Sequence, residues 1–343
     1  MVTLKDIAHA AGVSTMTVSN VVNNNLSKVS KENAARIQAL IKEMGYVPNS
    51  SARSLAKNSS KIIALILRGS AAENALENPH NAMLVGTMIQ KIQQHGYYAM
   101  LNIMESEYEI SQSLQTWNAE GAIFLGMFDS EIEAMCRASE IPMIFVDSYS
   151  TLRQLSNVGI NDYKGGALAA RFFYNHGHRK LAFVGPQVRS DGVVQHRFSG
   201  FCDELKEHGI ILGKENCFTI ESATEQAAIL SLGEEIAQYR KDITGIFVTS
   251  DQIAAFLIQG LRKAGARVPE DFSIIGFDDL VVCQQMSPRL TTISQDLRQK
   301  GKLAVDILFR QLLDPLSPAE SLVLDVELVE RESVIARESA KQP

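Results

Sequence analysis

Two groups of side chains have the types and spacing to do chemistry. The first is Thr15, Met16, Thr17, Ser19, Asn20 and Asn23, which share the outward face of a short helix and include no carboxylate. Such a face suits a polyanion with readable edges. Asn20 offers the donor and acceptor pair that matches adenine in a major groove, Met16 can touch a thymine methyl, and Thr17, Ser19 or Asn23 can hold phosphates. The second group is Arg197, opening a helix after an apolar run, and Asp278, ending such a run. Open α/β sheets gather ligands at the C-terminal ends of their strands. An arginine fork and a carboxylate placed there can hydrogen-bond several hydroxyls of a polyol. Asp147 and Asp251 also end apolar runs and Ser250 precedes Asp251, which makes these three secondary candidates for the same site.

Other chemistries fail on what the chain does not place together. No G-x-G-x-x-G, Walker loop or nucleophile elbow follows an apolar run, and no histidine or carboxylate group has catalytic or metal spacing. His176 and His178 flank Gly177 at a helix end, where a turn role is the simpler one. No catalytic residue, metal or cofactor is therefore expected. Cys136, Cys202, Cys217 and Cys283 form no C-x-x-C pair and the N-terminus has no basic-then-apolar leader, so a reducing cytoplasm is the expected compartment. No apolar run approaches the roughly 18 residues that span a bilayer. The net charge of -6 hides an asymmetry: residues 1–60 hold seven Lys or Arg against three Asp or Glu, about +4, which leaves about -10 for the rest.

The elements that must position these residues follow from periodicity and caps. Thr3 caps a first helix with Asp6 as capping-box partner, and Leu4, Ile7, Ala8 and Ala11 make its apolar stripe. Gly12 supplies the turn, Ser14 caps a second helix, and Val18, Val21 and Val22 form its inner side. A third helix runs from the Ser30 cap to Met44, with Ala34, Ile37, Leu40 and Ile41 completing a small core before Gly45. These positions alone fit a plain helical hairpin as well as a helix-turn-helix. Residues 50–57 form a short polar segment that cannot hold a helix by itself in water. From Lys61 onward, apolar runs at 62–67, 97–103, 122–125, 143–146, 181–184, 246–248 and 273–277 alternate with amphipathic stretches that end in glycine. That pattern is α/β with parallel sheets, and two sheets make two lobes.

Thr3-Leu4-Lys5-Asp6-Ile7-Ala8, Ala11-Gly12-Val13-Ser14, Thr17-Val18-Ser19 and Gly45-Tyr46-Val47-Pro48-Asn49 through Ala52-Arg53-Ser54-Leu55 resemble the LacI/GalR family of bacterial repressors. The resemblance continues through His176-Gly177-His178, Arg197-Phe198-Ser199-Gly200-Phe201, Ser250-Asp251, Gly276-Phe277-Asp278-Asp279 and Leu290-Thr291-Thr292-Ile293, and so covers nearly the whole chain. It implies an all-α three-helix helix-turn-helix domain at 1–48, a hinge helix and linker at 49–60, and an α/β two-lobed periplasmic-binding-protein-like core at 61–338. The N-lobe is expected at about 61–159 and 289–320, the C-lobe at about 160–288 and 321–338, with three crossings, the first near Ile160. Asn49, Ala52 and Leu55 join the implied DNA contacts, Leu55 as a wedge that enters the minor groove and bends the duplex. Arg197 and Asp278 would hold the effector, unless they form an interlobe salt bridge without ligand duty.

The implied function is a homodimeric repressor of a carbohydrate uptake or catabolism operon, with double-stranded operator DNA and a small-molecule effector as partners and no membrane. A solute-binding protein of a sugar transporter shares the core and is the rival reading. Several positions depart from the family pattern. Asn20 stands where many members have arginine, and the loop from Asn23 to Val29 is one residue longer. Asn78-Pro79-His80-Asn81 and Ser222-Ala223-Thr224 replace positions that are often aromatic, which brings His80 into the effector set and leaves Phe128 or Tyr149 to stack on a ring. A pocket so polar points to a sugar acid or sugar phosphate. The tail after Glu332 lacks the apolar heptads of a tetramer-forming coiled coil.

Overall fold

The caps organise the first unit. The computed structural model describes residues 2–47, 59–69, 75–104, 107–127, 129–138, 140–148, 155–188, 192–221, 224–240 and 242–337. Helix α1 (Leu4–Ala11) begins on Thr3, whose backbone N–H donates to Asp6 Oδ2 at 2.8 Å while its hydroxyl accepts from Asp6 N at 3.4 Å. Gly12 closes α1 in the left-handed region, φ 61°, so that Val13 N reaches Ala8 O at 3.0 Å. Helix α2 (Thr15–Val22) starts on Ser14, which accepts from Thr17 N at 3.1 Å. After a loop in which Asn24 takes φ 61° and residues 26–28 make a 3-10 turn, α3 (Lys31–Glu43) starts on Ser30. Ile7, Ala8, Ala11, Val18, Val21, Ala34 and Ile37 form the buried centre, the apolar stripes that the sequence predicts. Asn49, Ala52 and Leu55 lie outside the described residues.

Residues 61–343 form a separate compact unit with two six-stranded sheets. The first holds β1 (Ile62–Arg68), β2 (Tyr98–Met104), β3 (Gly121–Leu125), β4 (Met143–Val146), β5 (Asn157–Ile160) and β11 (Ser321–Leu324), in the order β11-β5-β4-β3-β1-β2 and all parallel. The second holds β6 (Leu181–Pro186), β7 (Cys217–Ile220), β8 (Gly245–Val248), β9 (Ser273–Asp278), β10 (Thr291–Ser294) and β12 (Glu327–Val329), in the order β12-β10-β9-β8-β6-β7, parallel except for β12. Crossover helices cover both. Those used below are α4 (Pro79–Gln94), α5 (Glu107–Thr116), α6 (Asp129–Ala138), α7 (Asp162–Asn175), α8 (Val193–Glu207), α9 (Gln226–Tyr239), α10 (Asp251–Lys263), α11 (Val282–Gln285) and α12 (Leu297–Leu313). The expected amphipathic stretches match α4, α7 and α10, and Gly96, Gly177 and Gly265 follow them at φ 72°, 80° and 86°.

The chain passes between sheets three times, at Asn161, at Gln295–Asp296 and at Asp325–Val326. Two expected lobe boundaries are therefore corrected. Residues 291–294, expected in the N-lobe, pair with β9 in the second sheet, Thr291 opposite Ile275. Residues 321–324, expected in the C-lobe, pair with β5 in the first, Leu322 opposite Val158. Both strands are short and poor in unbroken apolar sequence. Thr291 and Thr292 are nonetheless fully buried, because their hydroxyls are hydrogen-bonded to Arg331 N and Asp251.

His178 plays the structural part that its setting suggests. Its ring is fully buried between Thr244 Oγ1 at 2.9 Å and Ile335 O at 3.0 Å, tying the chain's return segment to the second sheet. Burial, the leading cause, pushes its pKa down to about 4. A depressed folded value favours the neutral ring, so this contribution is full above the unfolded value near 6.5 and is lost as pH falls through 4. Urea melts should show His178→Gln losing less stability than the parent between pH 7 and pH 4, by about 3 kcal/mol. Parallel losses in the two proteins would refute this role.

Candidate functional site

Strand ends from both sheets meet at one cleft of about 620 Å³. Its walls are Leu67 and Arg68 at the end of β1 with Gly69 after it, Leu125 at the end of β3 with Gly126 after it, and Asp147 after β4. Facing them are Pro186 of β6, Thr249 after β8 and Asp278 of β9. The first turns of α4, α8 and α10 complete it with Asn78, His80, Asn81, Arg197 and Ser250. This is where open α/β sheets bind ligands. Asp147 and Asp278 both sit on left-handed backbone, φ 53° and 115°. Such strain in a residue other than glycine costs on the order of 1–3 kcal/mol and concentrates at functional positions.

A hydrogen-bonded chain that sequence reasoning missed runs between the two cleft carboxylates. Lys300, on α12, has no solvent exposure; its Nζ donates to Asp147 Oδ2 at 2.6 Å and to Gln295 Oε1 at 2.6 Å. Gln295 lies in the second crossing and passes the link on, its Nε2 donating to Asp278 Oδ1 at 2.6 Å. One lobe's strand end is thus joined to the other's through a crossing segment. The signal in the sequence was Lys300's place at the i+3 position of the apolar stripe Leu297, Gly301, Ala304, Val305 and Leu308. Gly301 lets α12 approach α4 closely, since a Cβ there would sit 3.3 Å from Leu84 and Thr87. Two atoms on opposite walls of the cleft, Asp147 Oδ1 and Thr249 Oγ1, are buried without a hydrogen-bond partner among the described residues.

Arg197 is held within its own lobe, and among the described residues neither it nor Asp278 forms a salt bridge to the other lobe. Its Nε donates to Asp162 Oδ1 at 2.7 Å, its Nη1 donates to Thr249 O at 2.6 Å, and its guanidinium lies 3.5 Å from the Phe277 ring centroid. The pair can form because α7 and α8 touch backbone to backbone, where a Cβ on Gly166 or Gly200 would collide with the facing carbonyl. Burial opposes the charge on Arg197, but Asp162 and then Asp278 outweigh it and raise its pKa. Asp278 has no ion-pair partner within 4 Å among the described residues, and burial pushes its carboxyl above the usual range against the pull of His80, Arg197 and Gln295.

The remaining candidates divide. His80 lines the cleft beside Asn81, Nδ1 to Oδ1 3.2 Å, and Ser250 lines it while capping α10 through Ile253 N at 3.3 Å. Asp251 does not line it. Fully buried, it accepts from Thr292 Oγ1 at 2.6 Å and Leu280 N at 2.8 Å, which fixes the loop after β9. An aspartate that begins a helix beneath a neighbouring strand turns inward, which its strand-end position could not show. Phe128 and Tyr149 lie outside the described residues.

On α2, Thr15 and Met16 are exposed, Met16 by 70%, while Thr17, Ser19, Asn20 and Asn23 are half-buried. Thr17 Oγ1 lies 2.9 Å from Ser14 Oγ, and Asn23 Nδ2 donates to Ser19 O at 2.8 Å. Those two side chains brace the helix, which leaves Asn20 as the amide without an internal hydrogen bond among the described residues.

Residues 3–49 match the model of "Bacterial regulatory proteins, lacI family", and residues 170–334 match that of the periplasmic binding protein-like domain. The Ribose operon repressor of Haemophilus influenzae is 30% identical over 342 residues, 97% of this chain and 99% of its own. The chain belongs to the lacI family of bacterial regulatory proteins. The HTH-type transcriptional repressor PurR of Edwardsiella ictaluri is 31% identical, with 97% of each chain covered. Among solved structures, the lac repressor dimer bound to operator and the anti-inducer ONPF superposes with a TM-score of 0.85 at 26% identity, covering 98% of this chain and 99% of that one. The lacI-family chain described here has the helix-turn-helix and two-lobed core in that same order. Among the described residues no helix is long and apolar enough to cross a membrane.

Lys300→Met would leave the Asp147 carboxylate, 15% exposed at the cleft, without its cation, at a cost of up to about 3 kcal/mol. Asp147→Asn/Lys300→Met, which removes both charges of the pair, should cost much less than the two single changes together. Urea unfolding of the four proteins measures the coupling, and additive losses would show that the buried pair does not exist.

Proposed function

We propose that this lacI-family chain is a dimeric repressor that binds a palindromic operator through α2 and responds to a small carbohydrate-type effector in the cleft between its lobes. The observation that carries the reading is the cleft itself, in which Asp147 of one lobe and Arg197 and Asp278 of the other face a common volume. Hydroxyls of one ligand can satisfy all three only when the lobes hold a particular closure, so binding favours one lobe arrangement over others. Two relatives support the regulatory half: one is named a ribose operon repressor, and the lac repressor is a dimer on its operator. A second copy is also what a helix-turn-helix needs, because one α2 reads too few base pairs for tight specificity.

Arg197, Asp278, Asp147, Ser250 and His80 are the effector contacts in this proposal, and Thr249 joins them. On DNA, Asn20 reads a base edge, Thr15, Met16 and Ser19 reach the groove or backbone, and Asn49, Ala52 and Leu55 make the hinge contacts. The acid-free face of α2, on the basic part of a chain with net charge -6, is what supports that assignment.

Fluorescence anisotropy with a palindromic fragment from upstream of the chain's own gene tests this. Affinity should fall steeply and linearly on a log scale with salt. Asn20→Ala should relax preference at a single base pair by about 1–3 kcal/mol while leaving the salt slope unchanged. A protein that binds the palindrome no better than random DNA is not this repressor.

A further inference from the structure

The charges around the cleft are paired in a way that selects among effectors. Lys300 neutralises Asp147 and Arg197 is matched by Asp162, whereas Asp278 has no ion-pair partner among the described residues and accepts a hydrogen bond from the neutral amide of Gln295, with His80 and Arg197 acting on it at longer range. Both cleft carboxylates are acceptors, and the Lys300 link fixes them as such. Nζ holds Asp147 through Oδ2 and leaves Oδ1 unpartnered, while the same Nζ takes Gln295 Oε1 and so turns Gln295 Nε2, the donor end, toward Asp278. A ligand anion would meet the unpaired Asp278 carboxylate at one wall and the unpartnered Asp147 oxygen at the other. The helix N-termini at the rim add partial positive charge. Two of the three, on α4 and α10, are already engaged by the side chains of Asn78 and Ser250.

We propose that Lys300 is a specificity-determining positioning residue that makes the cleft select a neutral polyol, which donates hydroxyls to Asp147 and Asp278, over a carboxylated or phosphorylated one. The inference rests on the effector reading of the cleft. It replaces the sugar acid or sugar phosphate that the loss of aromatic positions suggests from sequence: Lys300, Arg197 and Arg68 are matched by Asp147, Asp162 and Glu131, whereas Asp278 has no ion-pair partner among the described residues. Lys300 touches no effector. It acts through the buried oxygen it leaves without a partner on Asp147 and through the amide it orients on Gln295.

Calorimetric titration of the full chain with D-ribose, D-glucose and D-galactose against ribose 5-phosphate, glucuronate and galacturonate tests the proposal. The neutral member of a pair should bind at least about tenfold more tightly. In Asp147→Asn the buried Lys300 is left unmatched, and the preference should invert toward the anion. In Asp147→Asn/Lys300→Met, which removes both members of the pair and keeps the test alive if the single variant does not fold, neutral affinity should fall about tenfold or more and the preference should narrow. Tighter binding of an anionic member by the parent overturns the polyol assignment while leaving the effector reading intact. A neutral-to-anion ratio unchanged in the double variant overturns the role of Lys300. If no panel member binds a chain that still shifts its operator, the effector reading itself fails, and this inference fails with it.

Discussion

An ammonium group with no solvent exposure must find its compensation inside the protein, and in this chain the cleft is built around that requirement. Taking a charge out of water costs several kcal/mol even after relaxation, so Lys300 is tolerable only with a carboxylate and further acceptors at hydrogen-bond distance. Asp147 supplies the charge and Gln295 a second acceptor. Each partner brings an element with it. Asp147 places the end of β4, Gln295 places the second crossing, and through Asp278 that crossing is tied to the end of β9. Positions that look independent along the sequence are in this way parts of one buried chain.

The second lobe solves its own version of the problem. Arg197 is buried against Asp162 and the Phe277 ring, and glycines at 166 and 200 let the two helices that carry the pair come into backbone contact. Asp251 works beneath the cleft floor, holding the loop after β9 through Leu280 N and reaching β10 through Thr292. Buried polar pairs thus brace each wall of the cleft, and a link between the walls runs through Lys300 and Gln295 at the second crossing. A ligand that bridges two lobes changes their closure by its differential contacts with the two arrangements.

Much of this architecture was legible because caps and periodicity agree. Thr3, Ser14 and Ser30 mark the three helices of the first unit, and seven apolar runs mark seven strands of the second. The strands at 157–160, 291–294 and 321–324, no longer than some of those but interrupted by polar residues or glycine, were not legible. Their polar residues are satisfied by distant partners, and no local pattern records a hydrogen bond from Thr292 to Asp251. The same limit applies at the site. Arg197, Asp278, Asp147 and Ser250 could be placed at the cleft from strand-end and helix-start positions, and His80 from the family positions that it replaces. Asp251 could not, because a strand-end position does not tell whether a side chain faces the cleft or the core. Lys300 was visible only as an oddity, a cation in an apolar stripe, and its meaning depended on which carboxylate the fold would bring to it.

The most direct test of the account is a crystal structure of the full chain with a neutral sugar that it binds. The account predicts a sugar hydroxyl at hydrogen-bond distance from Asp147 Oδ1, another at Asp278 or Arg197, and Lys300 still joined to Asp147 and Gln295. A sugar seated without touching Asp147, or a Lys300 ammonium turned away from that carboxylate, would contradict it.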